Sequence, residues 1–92
     1  MSKFEVEIPH QLSRDEARLR LDRVTEKLAR DYGAVCNWEG GCRLVVTRKG
    51  LLAYLDVADD RVHVDLEFGV LMRPFAGSIR AGIARQLADI LA

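Results

Sequence analysis

Few side chains in this sequence have chemistry beyond solvation. His63, Asp65 and Glu67 occupy alternate positions, so in a strand they project from one face, and Asp56 can join them from a neighbouring strand. An imidazole beside carboxylates can hold a divalent cation or relay protons. The same residue types are also what a water-facing strand surface is normally built from, and that plainer reading is preferred, with no metal expected. His10 follows Pro9 in a turn, where hydrogen bonding to local backbone is the expected role. No nucleophile stands beside a base. Ser13 is spent as a helix cap, Ser2 and Ser78 have no motif around them, and Cys36 and Cys42 lack a cation-rich setting. Gly40-Gly41 is a turn, because no glycine pattern joins a strand to a helix there. No catalytic residue and no cofactor is therefore expected, and the chain reads as a binding protein and not an enzyme.

The elements that must position these residues are well marked. Phe4, Val6 and Ile8 alternate with Lys3, Glu5 and Glu7, a half-buried strand ended by Pro9. Ser13 and Glu16 form a capping box, with Leu12 placed to pack on Ala17. Ala17, Leu21, Val24 and Leu28 then draw one apolar helical stripe up to Gly33, a left-handed cap. Glu16 with Arg20, and Glu26 with Arg30, are i,i+4 pairs on its wet faces.

From Ala34 to Gly69 the chain reads as strands joined by tight turns. A three-residue loop, Glu39-Gly40-Gly41, puts Ala34, Cys36, Trp38, Cys42, Leu44 and Val46 on one face. That register sets Cys42 opposite Trp38 and Cys36 opposite Leu44, with the cysteine Cα atoms about 7–8 Å apart, beyond disulfide reach. Both cysteines, and Trp38, are expected in the core. Leu51, Ala53, Leu55 and Val57 point inward from the next strand. After a turn at Asp59-Asp60 so do Val62, Val64, Leu66 and Phe68. A second helix follows, with Pro74 near its first turn and Phe75, Ile79, Ile83, Leu87 and Leu91 as its buried stripe, Ile90 alongside. Gly77 and Gly82 weaken it by about 1 kcal/mol each relative to alanine. The expected class is α+β, in the order β-α-β-β-β-β-α: a curved antiparallel sheet with two helices packed on one face, forming a single domain over residues 1–92.

Bulk composition narrows the function classes. With 92 residues, 49% apolar and 30% charged, the chain has ordinary globular composition. Fourteen basic residues cancel fourteen acidic ones, which removes the footprint of a nucleic-acid binder. No run reaches the ~18 apolar residues of a membrane span. The N-terminus lacks the pattern of a signal peptide. Two cysteines are too few for a disulfide framework or a zinc site, so reduced thiols in a cytoplasm are expected.

Two apolar features remain. Val45, Leu52 and Tyr54 fall on the open face of the sheet on neighbouring strands. Val70-Leu71-Met72-Arg73-Pro74-Phe75 sets large apolar groups where a polar connector would be expected. Leu71, Met72 and Phe75, with Val45, Leu52 and Tyr54, are the candidate partner-binding residues.

Pro9-His10-Gln11-Leu12, the helix ending at Tyr32-Gly33, Cys36-Asn37-Trp38-Glu39-Gly40, the alternating strand from Val62, and Phe68-Gly69-Val70-Leu71-Met72-Arg73-Pro74-Phe75 leading into Ile79, Ile83 and Leu87 form an ordered set over nearly the whole chain. In that order the chain resembles the polyhydroxyalkanoic acid system proteins, short bacterial proteins associated with polyhydroxyalkanoate metabolism. Gly41 departs from the family pattern, where an Asp commonly follows the Trp-x-Gly piece, a change that suits a hairpin turn. The resemblance brings no catalytic residues. It implies an accessory protein that binds polyhydroxyalkanoate granules or granule-associated proteins, located at inclusions. Two other classes stay open: a homodimeric structural module whose apolar patches meet a symmetry mate, and a carrier with a pocket for a small hydrophobic ligand between the sheet and the helices.

Overall fold

The structure, a computed structural model, describes residues 2–92. Its elements are β1 (Ser2–Pro9), α1 (Arg14–Tyr32), β2 (Val35–Glu39), β3 (Arg43–Arg48), β4 (Leu51–Val57), β5 (Arg61–Phe68), a 3-10 turn (Val70–Phe75) and α2 (Ala76–Ile90). They form one open antiparallel sheet in the order β1-β5-β4-β3-β2, with both helices on one face. The α+β class and the element order are those expected from the sequence.

The order follows from short hairpins and one long crossover. Two-residue turns at Lys49-Gly50 and Asp59-Asp60 make β3, β4 and β5 consecutive neighbours. β1 pairs with β5 at the far edge, Phe4 opposite Leu66 and Ile8 opposite Val62. The chain must then cross from one sheet edge to the other, and α1 is the crossover. Its 19 residues span about 28 Å, against about 19 Å across five strands.

The caps fall where the sequence puts them. The Ser13 hydroxyl accepts from the Glu16 backbone N–H at 3.1 Å. Glu16 does not complete the box in return, because its carboxylate takes the Arg20 guanidinium at 3.3 Å. Gly33, at φ 65°, closes α1 with bonds from its own N–H to the Ala29 carbonyl and from the Ala34 N–H to the Leu28 carbonyl. Arg30 lies beside Asp31.

Three expectations are corrected. The β2–β3 loop is Gly40-Gly41-Cys42, and Trp38 faces Leu44 while Cys36 faces Val46. The loop has the expected three residues but sits one position later, which shifts the register by two. Gly40 and Gly41 both adopt left-handed φ, 62° and 83°, and Cys42 completes the loop with its carbonyl accepting from the Val57 N–H at 2.9 Å. A slip of two keeps every side chain on its face, so the core pattern survives. Cys42 is a turn residue, and both thiols are free and half-buried. Trp38 is half-buried too. Its indole N–H donates to Asp22 at 2.9 Å, and the Arg18 guanidinium lies 4.6 Å over its ring. Finally, Phe75 is 58% exposed, while Ala76 takes the inward position. Steps of four residues drift by about 40° in an α-helix of 3.6 residues per turn, so a stripe that buries Ala76 and Leu87 leaves Phe75 to one side.

The core is laid down chiefly by β5. Val62, Val64, Leu66 and Phe68 are completely buried, with Ala17 and Leu21 of α1 and Ala76, Leu87 and Leu91 of the C-terminal segment above them. The two helices are splayed. α1 lies towards β2 and β4, and α2 over β1. Between them and the sheet remains an apolar cavity of about 270 Å³.

Candidate functional site

Three surfaces collect the residues with functional potential. The first is the 3-10 turn. Pro74 removes one backbone donor and fixes its own φ, while the Met72 N–H bonds the Gly69 carbonyl at 3.1 Å to open the turn. Leu71 is 84% exposed and Val70 73%, and Phe75 at the end of the same turn is the third apolar group in solvent. Met72 points the other way. A Cβ at Gly50 would stand 2.6 Å from its Cγ, and its side chain lines the cavity. The turn thus carries a hydrophobic knob outward and anchors itself inward through one methionine.

The second surface is the open face of the sheet, which brings Val45, Leu52 and Tyr54 together. Val45 pairs directly with Tyr54, and Leu52 follows two residues before Tyr54 on the same strand. All three are half-buried. Arg43 lies 4.9 Å over the Tyr54 ring while binding Asp56 at 2.8 and 3.3 Å, so a charged group already covers part of the patch.

Beside this patch, on β1 and β5, is the polar cluster. The His63 Nδ1 is 3.3 Å from Glu7 and its Nε2 is 3.1 Å from Asp65. Desolvation opposes the charged imidazole, but the Asp65 and Glu7 carboxylates outweigh it and hold the His63 pKa above the usual 6.5. Hydrogen bonds from Arg61 and then His63 hold Glu7 below the usual 4.5. Asp56 faces His63 across the strands, yet its carboxylate is engaged by Arg43. Glu5, His63 and Asp65 present ligand atoms within 4.8 Å of one another. With both ring nitrogens facing carboxylates on a solvated surface, the arrangement is that of an ion-pair network.

His10 is the buried histidine, and its contacts explain it fully. Its Nε2–H donates to the Ala58 carbonyl at 3.0 Å, and its Nδ1 accepts from the Leu12 N–H at 3.2 Å. One side chain thereby ties the β4–β5 turn to the start of α1. Burial pushes the Cys36 thiol pKa up, which disfavours the nucleophilic thiolate.

The third surface is the cavity, which lies where the sequence leaves open a pocket between the sheet and the helices. Gly82, read from the sequence as a loss of helix propensity, and Ala53, read as one more inward residue, leave space where larger side chains would meet. No helix among the described residues is long and apolar enough to cross a membrane.

A family model described as "Putative polyhydroxyalkanoic acid system protein" matches residues 4–91. The chain belongs to this family. The match runs from Phe4 of β1 to Leu91 beyond α2, so it takes in every surface described above, and it agrees with the resemblance carried by the ordered motifs. No curated protein and no solved structure matches the chain. Membership in the polyhydroxyalkanoic acid system family associates the protein with that storage system.

Proposed function

We propose that this chain is a non-enzymatic accessory protein of polyhydroxyalkanoate storage, held at the granule surface in the cytoplasm by Val70, Leu71 and Phe75. The observation that carries the reading is the exposure of these three apolar side chains on one short turn whose backbone is fixed by Pro74 and by the inward Met72. Contiguous exposed apolar groups mark interaction surfaces. Moving such a side chain fully out of water contributes about 1.5–3 kcal/mol, so even half-burial of three gives several kcal/mol towards adsorption. A polyester inclusion offers the apolar, ester-rich face that such a knob needs. Zero net charge removes long-range repulsion from a charged granule coat. Val45, Leu52 and Tyr54 form the weaker candidate, because Arg43 shields Tyr54.

Co-sedimentation of the purified protein with isolated granules, with light scattering for its mass in solution, tests the reading. Leu71→Glu combined with Phe75→Glu leaves the buried core intact and should abolish saturable binding without loss of the folded state. Undiminished sedimentation of that variant would overturn the assignment. A doubled mass that depends on Leu71 and Phe75, with no sedimentation, would make the knob a subunit interface instead. Binding that disappears once granules are stripped of their proteins would identify a granule-associated protein as the partner.

A further inference from the structure

We propose that the cavity between the helices and the sheet binds one extended acyl chain, with the hydrocarbon lying along β3 and β4 and a terminal carboxylate at Arg48. Protein interiors are normally packed with few voids larger than a water molecule. The cavity here is about 270 Å³. That exceeds the roughly 150 Å³ of a dry apolar cavity that accepts benzene, and it approaches the ~300 Å³ at which ordinary ligand pockets begin.

Its shape suits a linear guest. The floor runs from Leu44 and Leu55 at one end to Arg48 and Leu51 at the other. Four residue steps at about 3.3 Å make roughly 13 Å, near the length of an extended chain of roughly ten carbons. The middle of this run is hollowed by Ala53 below and Gly82 above, and a Cβ built at Gly82 meets nothing within 4 Å. Ile79 and Ile83 of α2 face Leu21 and Leu28 of α1 across the space.

Charge sets the direction. Arg48 is the cation that lines the cavity, and among the described residues it forms no salt bridge. The adjoining cleft between the helices carries Lys27 together with Asp89, whose charges offset each other. An anionic head group is therefore favoured at the Arg48 end. Leu71 and Phe75 do not line the cavity, which meets their turn through Met72 alone.

Calorimetric titration of the full chain with sodium decanoate, and with 1-decanol as the uncharged comparison, tests the site. Saturable binding at one molecule per chain is expected. Arg48→Gln should weaken decanoate at least about tenfold while leaving decanol within about twofold, a loss on the scale of one charge-assisted hydrogen bond. Gly82→Leu, which places a side chain into the space, should abolish both. Isoleucine-methyl NMR supplies a readout that needs no variant: Ile79, Ile83 and Ile90 should shift on adding decanoate while Ile8, outside the cavity, stays put. Absence of saturable binding to the folded wild type, or shifts that spare Ile79 and Ile83, would overturn the proposal. So would decanoate and decanol losing affinity equally in Arg48→Gln, which would leave no role for the cation.

Discussion

Filling the cavity from the helix side should stabilise this protein. Gly82 lies inside α2 and lines the cavity, with open space where its Cβ would be. Replacing it by alanine removes the helix penalty of glycine, about 1 kcal/mol. Leucine keeps most of that gain and adds a side chain whose complete burial contributes about 1.5–3 kcal/mol. The cavity is partly open, so roughly half of that is expected, giving about 2 kcal/mol for Gly82→Leu against about 1 for Gly82→Ala. For a domain of this size 1 kcal/mol moves Tm by about 4–8 °C, so the leucine variant should melt roughly 10 °C higher than wild type. Gly77→Ala, exposed in the first turn of the same helix, probes propensity without any cavity and should gain less than Gly82→Ala, since the full glycine penalty belongs to helix interiors. Thermal melts by circular dichroism and by calorimetry measure all four proteins. A leucine variant no more stable than the alanine one would refute the reasoning, because it would mean that the space cannot receive a side chain.

Two further perturbations follow from particular contacts. Gly50→Ala should cost about 2 kcal/mol or more: a φ of 82° is unfavourable for an L side chain by about 1–2 kcal/mol, and the new methyl would stand 2.6 Å from Met72 Cγ. Gly69→Ala, whose methyl would meet Gly50 Cα at an ordinary 3.5 Å, should stay within about 0.5 kcal/mol, and chemical denaturation compares the two. The pH dependence follows from the polar cluster. The His63 pKa is raised above 6.5 in the folded state, so its contribution is fully present below 6.5 and is lost as pH rises through the folded value. The Glu7 pKa is lowered, so its contribution is present above 4.5 and is lost as pH falls through its folded value. Melts of wild type and His63→Gln should therefore converge above the His63 pKa and separate between 4.5 and 6.5, and a difference that grows towards alkaline pH would contradict the network.

Most of the fold is legible in the sequence because its signals are local. Period-two alternation in Val62–Phe68 marks the most buried strand, and Ser13 and Gly33 bracket α1 as capping chemistry requires. Face assignment at the β2–β3 hairpin holds while pairing does not, since parity is fixed by burial and the exact partner by the φ of Gly40 and Gly41. Phase at the start of α2 is lost because a run spaced by four drifts about 40° per step around an α-helix, which leaves Phe75 outside the stripe that Ala76 and Leu87 bury. The pairing of β1 with β5 depends on contacts far apart in the chain, and no local pattern encodes it. The candidate surfaces follow the same rule. An apolar knob at Val70, Leu71 and Phe75 is readable as large side chains in a connector, with Met72 separated from them only by its inward direction. The cavity is an absence of atoms between elements, which Gly82 and Ala53 signal too weakly to be read without the packing.

Hydrogen exchange with and without bound granules tests the central proposal most directly, because it reports which backbone is covered. The account predicts slowed exchange at the amides from Val70 to Ala76, with the open-face strands around Val45, Leu52 and Tyr54 unchanged. Protection of those strands with the 3-10 turn left as fast as in free protein would contradict it.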